Sequence, residues 1–464
     1  MKKVLIVTYY FPPSGGPGVQ RVLKFVKYLP EFGWQPVVLT VQDGDYPARD
    51  ESLLAEVPEH AIVYRTKIFE PYKLYRKLTG KAPNAPVDVE NIPRGKGGKS
   101  FAEKLAEFIR ATLFIPDARI GWYPYAVAKG LEIIEREKID VLYSSSPPYT
   151  AAVVAQRLHR ATKVPWIAGF RDPWTGFLST PKRWFFPRAV DRSMEQSVLQ
   201  DADTVEGAWR GILKDIMSKY PDVSCTKLFY VPNGFDGADY PADETPAGDR
   251  FTVTYTGSMY GVRNPGTFLR AVEELVNERK IDEQKIRLRF VGRFGSEVQE
   301  MLRASSVRQA IEVVAYRPHA ESIRELLRAD ALLLIVDEAN ASEEIVPGKV
   351  FEYIGARRPI LALAPDGAVA ELLRETRSGV VVPNRDLPAI KRAFLECYDK
   401  FGYRKETFEP NVDAIRKYER REITGQLAFL LDSLHAHTDP ARQSPSAPSS
   451  LDEAGRTPTT AANP

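Results

Sequence analysis

Cysteine is almost missing from this chain, with two residues, Cys225 and Cys397, among 464. That count excludes a disulfide framework and a cysteine-rich zinc site, and it suits a reducing compartment. Histidine is also scarce. Of the five present only His435 and His437 lie close together, and no metal-binding spacing occurs. Neither sign of charge dominates: 64 Lys and Arg face 61 Asp and Glu, a net charge of +3. A general nucleic-acid binder carries a far larger basic excess, so no nucleic-acid partner is expected. Long apolar runs are missing too. The longest aliphatic stretches, such as 331–336, fall well short of the roughly 18 residues a membrane helix needs. The apolar start at residues 1–11 imitates a secretory leader, but it is short, stops at Pro12 and Pro13, and lacks a small-residue cleavage site. It reads as a buried first strand, and the protein as cytoplasmic.

The remaining composition is that of a folded protein, 44% hydrophobic and 27% charged. Short β-rich apolar runs alternate with helical patterns. Strands are predicted at 3–8, 35–41, 61–64, 141–143 and 165–169, and a helix at 18–31 with Val19, Val22, Leu23 and Val26 on one face. Repetition of strand then helix implies parallel sheets covered on both faces. The rhythm pauses in a Pro-, Gly- and Asp-rich stretch after a strand at 228–231. It restarts with strands at 251–255, 286–291, 331–336 and 359–363 and helices at 264–280, 319–328 and 347–356. The fold class is therefore α/β, with two doubly wound, Rossmann-like halves at 1–235 and 251–410 joined by a linker at 236–250. Residues 411–435 read as a helix that crosses back to the first half. Residues 80–99 read as a mobile loop, and 436–464, rich in Pro, Ser, Thr and Ala, as a disordered tail. Two such halves place a site in the cleft between them, at the carboxyl ends of the strands.

Two glycine-rich stretches imitate nucleotide motifs. Residues 95–100 end like a phosphate-binding P-loop, but Pro93 stands where that motif needs glycine and no strand precedes it. Gly16 and Gly18 follow the first strand as in a dinucleotide fingerprint. Arg21, however, holds the third glycine position, and the acidic Asp43 comes late. Gly15 and Gly16 still let a ligand approach the backbone closely ahead of a helix N-terminus; the alternative is a plain tight turn.

The strongest signal is residues 343–356, EEIVPGKVFEYIGA. Pro347 suits the first position of a helix. The amides of Gly348, Lys349 and Val350 would then form an anion site, aided by the helix dipole and the Lys349 charge. Glu344 precedes this site and Glu352 follows it. Carboxylates cannot usefully hold phosphates, so both are assigned to hydroxyls on either side. Hexose, diphosphate and ribose have that order in a nucleotide-sugar. The competing reading is a solvated acidic helix start. A second turn, 255–265, follows the second half's first strand. Gly257, Arg263 and Asn264 there suit a diphosphate clamp, because arginine grips phosphate with a fork of donors.

Together these pieces resemble the bacterial family 4 glycosyltransferases of the GT-B fold. The carriers are PPSGG at 12–16, VPNGFD at 231–236, Thr256-Gly257, FVG at 290–292, and Glu344 and Glu352 with seven residues between them. The resemblance implies a nucleotide-sugar donor, retention of configuration, and no metal or other cofactor, with positive groups in place of a divalent ion. It implies that Glu344 contacts the donor sugar as charge develops at its ring and that Glu352 holds the ribose hydroxyls. Arg263, Lys349 and the helix amides would neutralise the departing diphosphate, and Gly15 and Gly16 would line the cleft from the other half. Two places depart from the pattern. Ser258 stands where many members have arginine, and Arg171-Asp172 stands where many have histidine. Asp172 either accepts hydrogen bonds from a sugar, joining Glu344 and Arg263 in the catalytic set, or forms a structural ion pair. The Arg-Asp-Pro-Trp form is similar to that of capsule and O-antigen transferases. That similarity implies cell-surface polysaccharide synthesis with a glycan or lipid-linked acceptor.

Residues 65–110 hold eleven Lys or Arg against five Asp or Glu, interleaved with Phe69, Tyr72, Tyr75, Phe101 and Phe108. Such a mixture suits the anionic inner face of a cytoplasmic membrane. A solvated loop whose aromatics pack inward is the alternative. Two other functions stay open on the residues alone: a nucleotide-sugar epimerase or hydrolase on the same fold, and a carbohydrate-binding protein without catalysis.

Overall fold

The computed structural model describes residues 1–46, 49–69, 112, 114–176, 183–242, 248–261, 263–336, 342–344, 346–401 and 407–438. The loop expected at 80–99, most of the basic segment 65–110 and the tail from 439 lie outside these.

Runs of unbroken aliphatics form the central strands. A seven-stranded sheet is built from β1 (Lys2–Thr8), β2 (Trp34–Val41), β3 (Ile62–Thr66), β4 (Val141–Ser146), β5 (Trp166–Phe170), β6 (Thr204–Gly207) and β7 (Leu228–Tyr230), in the order β3-β2-β1-β4-β5-β6-β7. A six-stranded sheet is built from β8 (Phe251–Thr256), β9 (Ile286–Val291), β10 (Ile311–Val314), β11 (Ala331–Ile335), β12 (Ile360–Leu363) and β13 (Gly379–Val382), in the order β10-β9-β8-β11-β12-β13. All pairings between these strands are parallel. In each sheet the order reverses beside its first strand, at β1/β4 and β8/β11, which is where an α/β sheet opens a crevice. Helices α1 (Pro17–Tyr28), α2 (Tyr123–Glu137), α3 (Thr150–Thr162), α4 (Phe185–Asp201) and α5 (Arg210–Lys219) belong to the first sheet. With the second go α6 (Gly266–Asn277), α7 (Ser296–Ala304), α8 (His319–Leu327), α9 (Gly348–Gly355), α10 (Ala368–Thr376) and α11 (Leu387–Phe401). The result is two Rossmann-like α/β domains.

Helix α1 shows how the pattern becomes packing. Val19, Val22, Leu23, Phe25 and Val26 recur at helical spacing and are all buried against β1 and β4. The same cluster takes in Ile423, Leu427 and Leu431 from the last helix, α13 (Arg420–Thr438), which follows the short α12 (Val412–Arg416). The chain therefore returns from the second domain to cover the first. Residues 436–438, expected in the tail, are the end of this helix.

The chain crosses between the domains twice, and the crossings pair. Phe235 N–H donates to Tyr418 O at 3.1 Å and Arg420 N–H donates to Phe235 O at 2.7 Å. A side chain at Gly234 would come within 2.1 Å of Tyr418 O, so the close approach requires glycine there. Arg21 fastens the first crossing to α1. Its buried guanidinium donates to Val231 O, Pro232 O, Asn233 Oδ1 and Glu206 Oε1. The position that spoils a dinucleotide fingerprint is thus a structural clamp.

Candidate active site

Helix α9 starts one residue later than the proline pattern predicts. Pro347 is its N-cap, and Gly348 is the first helical residue. Val350 is buried and its amide donates to Pro347 O at 3.0 Å. Its expected role as an anion donor is corrected: the turn itself takes that N–H. Lys349 and Tyr353 lie one turn apart and bind the end of β8. Lys349 Nζ donates to Tyr255 OH at 2.7 Å and to Thr256 O at 3.0 Å, and Thr256 N–H donates to Tyr353 OH at 2.8 Å. The ammonium also lies 4.2 Å from the centre of the Tyr255 ring. Gly257 comes next, at φ +110°, and a side chain there would meet Lys349 Nζ within 2.8 Å. Strand end, Gly257 turn and helix start thus converge on one ammonium group. Arg263 and Asn264 stand in the turn leading to α6. The Arg263 amide donates to Tyr260 O, and Asn264 Oδ1 accepts the Gly266 amide at 3.0 Å.

Glu344 reaches across the cleft. Its 3-10 turn, Ser342–Glu344, belongs to the second domain, yet Lys214 Nζ on α5 donates to Glu344 Oε1 at 3.0 Å. A side chain on Gly211, in the first turn of α5, would lie 2.6 Å from Glu344 Oε2. The carboxylate therefore rests against the positive end of a first-domain helix. Trp209 caps that helix and its Nε1–H donates to Arg171 O at 3.2 Å, which carries the contact to Arg171 and Asp172. Arg171 donates to Pro147 O and lies over Gly18 on α1, so it does not spend itself on Asp172. Burial raises the Asp172 carboxyl above its ordinary value while Arg171 opposes the rise. No hydrogen bond reaches the Asp172 side chain among the described residues. Gly16 caps α1 at φ +100° with open space beside it, and Gly15 precedes it. Gly15 and Gly16 thus follow β1 at the switch point of the first sheet, and Arg171 and Asp172 follow β5 at the same edge.

Gly348 and Glu352, on another face of α9, look toward the first domain. Glu352 Oε1 lies 3.7 Å from His319 Nδ1, and His319 Nε2 lies 3.1 Å from Asp239 Oδ2. Asp239 in turn accepts from Lys24 on α1, as does Asp236, at 2.8 and 2.9 Å. Burial opposes charge on His319, but Asp239 and Glu352 outweigh it and raise its pKa. Burial also pushes Arg420, beside this chain of contacts, down to about 9, with Arg21 adding to the fall. The cavity among Gln20, Lys24, His319, Glu352 and Arg420 measures about 30 Å³, room for a water or two and far too little for a nucleotide. Among the described residues no group of three His, Cys, Asp or Glu could hold a metal ion.

Sequence reasoning singled out Glu344, Lys349 and Gly257; the structure brings Lys349 and Gly257 together and sets Glu344 against α5. It missed Lys214, Gly211 and Trp209, which answer Glu344 from the other domain, and His319, Asp239 and Lys24, which answer Glu352. Only the single histidine at a helix start could have signalled the second set.

Residues 15–234 match the model of the glycosyl transferase 4-like domain, and residues 250–400 match that of glycosyl transferases group 1. The chain is a glycosyltransferase of these families. HepE of Anabaena, solved with UDP, is similar at 13% identity and a TM-score of 0.60, over 93% of this chain and 100% of that one. Sucrose-phosphate synthase of Thermosynechococcus elongatus is similar at 13% identity and a TM-score of 0.61, over 94% and 100%. WaaG, a glycosyltransferase involved in lipopolysaccharide biosynthesis, gives 11% identity and a TM-score of 0.52, over 95% and 100%. At such identities the likeness shows the fold, GT-B. No curated protein sequence matches the glycosyltransferase.

Proposed function

We propose that this glycosyltransferase moves a hexose from a nucleotide-sugar to a glycan or lipid-linked acceptor with retention of configuration, in cell-surface polysaccharide synthesis. The observation that carries the reading is Glu344, a donor-side carboxylate seated against α5 of the opposite domain. A sugar beside it meets both domains at once. HepE was solved with UDP and UDP-glucose, which makes uridine donors the first to try. As the bond from the sugar to the diphosphate breaks, negative charge grows on the leaving group. Lys349, Arg263 and the positive end of α9 would stabilise it without a metal, and Glu344 would stabilise the positive charge at the sugar ring. Glu352 is assigned the ribose, which requires the small cavity beside His319 to widen when a donor binds. Asp172, whose carboxyl burial raises above its ordinary value against the opposing charge of Arg171, would accept from the sugar or the incoming hydroxyl. The basic segment 65–110 would keep the enzyme at the inner face of the cytoplasmic membrane, beside a lipid-linked acceptor.

Glu344→Gln is expected to lower turnover by at least a hundredfold, since such a charge is worth roughly 2.7–4 kcal/mol of barrier. Glu352→Ala is expected to weaken donor binding more than it slows transfer. Thermal shift with UDP- and GDP-sugars, followed by transfer assays on both variants, tests the roles. Turnover above a tenth of wild type in Glu344→Gln refutes the catalytic assignment.

A further inference from the structure

Both carboxylates assigned to hydroxyls of the donor are engaged by cations of this chain. Lys214 holds Glu344 from across the cleft, and His319 pairs with Glu352. A lysine stays charged through the neutral range, whereas a histidine titrates within it. The contact at Glu352 is therefore the one that can move a proton.

His319 opens α8 and turns one ring nitrogen to each of two acids. Nε2 lies 3.1 Å from Asp239 Oδ2, and Nδ1 lies 3.7 Å from Glu352 Oε1. Only a ring with a proton on each nitrogen offers an N–H to both. The surroundings favour that charged form. Asp236 and Asp239, from the first crossing between the domains, and Glu352, from α9, bring carboxylates to the same cavity; Lys24 on α1 and Arg420 on α13 bring cations. Tyr240, whose OH donates to Glu352 O at 2.8 Å, stays neutral because burial raises its pKa. Burial and Lys24 oppose charge on the imidazole, and Asp239 and Glu352 outweigh them.

The cavity these groups enclose, about 30 Å³, admits no ribose while the imidazole stays in place. The two neighbouring hydroxyls of a ribose donate to a carboxylate together, so they need both of its oxygens, Oε1 included. Ribose and imidazolium thus compete for one group. The exchange changes the charge balance, because a neutral diol replaces a cation on Glu352 and nothing then favours the proton on Nδ1. That N–H bond breaks, its electron pair stays on the ring, and the proton passes to solvent. Nε2–H remains on Asp239.

We propose that His319 guards the ribose site: it holds Glu352 while charged, yields it to the nucleotide-sugar, and loses its Nδ1 proton to solvent as the donor binds. This rests on the ribose role of Glu352 given above and adds a regulation by pH to it. Protons keep Glu352 engaged, so donor affinity rises as pH rises through the range in which His319 titrates.

Calorimetry tests this on the full-length protein, titrated with UDP-glucose and with GDP-mannose at pH 7 in PIPES, HEPES and imidazole, whose ionisation enthalpies differ. Neither nucleotide-sugar has a group that titrates between pH 6 and pH 8, so protons reaching the buffer come from the protein. If the ring loses a tenfold preference for its charged form, up to about half a proton is released per donor, and affinity rises roughly fivefold from pH 6 to pH 8. His319→Gln should bind with the same enthalpy in every buffer and with an affinity that pH does not change. Glu352→Gln should bind more weakly and also release no proton, since His319 then has no carboxylate there to lose. A merely structural role of His319 would lower the melting temperature of His319→Gln and leave the buffer dependence intact. Equal wild-type enthalpies in all buffers, proton uptake, or unchanged release in His319→Gln would each overturn the proposal and leave the transferase reading standing. Binding of neither nucleotide-sugar in any buffer would overturn the donor reading, and the proposal with it.

Discussion

Replacing Arg21 by methionine strands a carboxylate in the interior. In the native protein the Arg21 guanidinium has no exposure and Glu206 only 1%, and the two meet at 2.5 Å. The same guanidinium satisfies Val231 O, Pro232 O and Asn233 Oδ1. After the substitution Glu206 keeps one hydrogen bond, from Tyr143 OH at 3.0 Å, and only the more distant charge of Arg171. Removing one member of a buried pair costs about 3–5 kcal/mol. At about 2–4 °C per kcal/mol for a domain of this size, Arg21→Met should lower the melting temperature by about 6–20 °C at pH 7. Burial already raises the Glu206 carboxyl and only Arg21 and its neighbours hold it down, so the stranded group should be raised further. A carboxyl raised in the folded state is least harmful once protonated. The deficit should therefore shrink as pH falls toward the ordinary glutamate value. Arg21→Met with Glu206→Leu should recover most of the loss, because a well-packed apolar pair often matches a buried ion pair. Urea melts of the single and double variants measure this. A single variant within 1 kcal/mol of wild type, or a double variant weaker than the single, would refute the reasoning.

Two more predictions concern the cleft. His319 has a raised pKa, so its charged form stabilises the fold fully below the unfolded value of about 6.5, and that contribution is lost as pH rises through the folded value. The melting temperature of wild type minus that of His319→Gln should therefore be positive at pH 6 and close to zero at pH 9; an equal difference at both would show that the imidazolium does not join Asp239 to Glu352. Chelation by EDTA is expected to leave transfer largely intact, since Lys349 and Arg263 supply the positive charge; complete loss that a divalent metal restores would refute the metal-free proposal.

What was legible in the sequence was local. Strands made of unbroken aliphatics, such as Ala331–Ile335, announce themselves because both faces are covered. Three strands do not. β6 is only Thr204–Gly207 and carries the buried Glu206, while β10 and β13 are edge strands with exposed Glu312, Val313 and Val380. Four-residue strands that are half covered, as β10 and β13 are, or that mix polar with apolar residues, as the fully buried β6 does, have no pattern to distinguish them from loop. The site divides in the same way. Glu344 and Glu352 sit on one short segment, so their spacing can be read. Lys214 stands 130 residues from Glu344, and Asp239 stands 80 from His319, and no local period links them. The helix start at Pro347 was displaced by one residue because proline suits both the N-cap and the first turn. That one step decides whether the Val350 amide is spent.

The return of α13 to the first domain sets the order in which the protein can be completed on the ribosome. Helix α1 packs on α13, and the cluster around Val19, Val22 and Val26 is completed by Ile423, Leu427 and Leu431. All strands of the first sheet are made by Tyr230, yet the side of α1 that meets α13 stays uncovered until some 200 further residues have been added. At roughly 5–20 residues per second the wait is about 10–40 s. For that time the newborn first domain shows an oily groove of the width of one helix. Anything that holds nascent chains will find it there, and the arrival of residue 431 closes it.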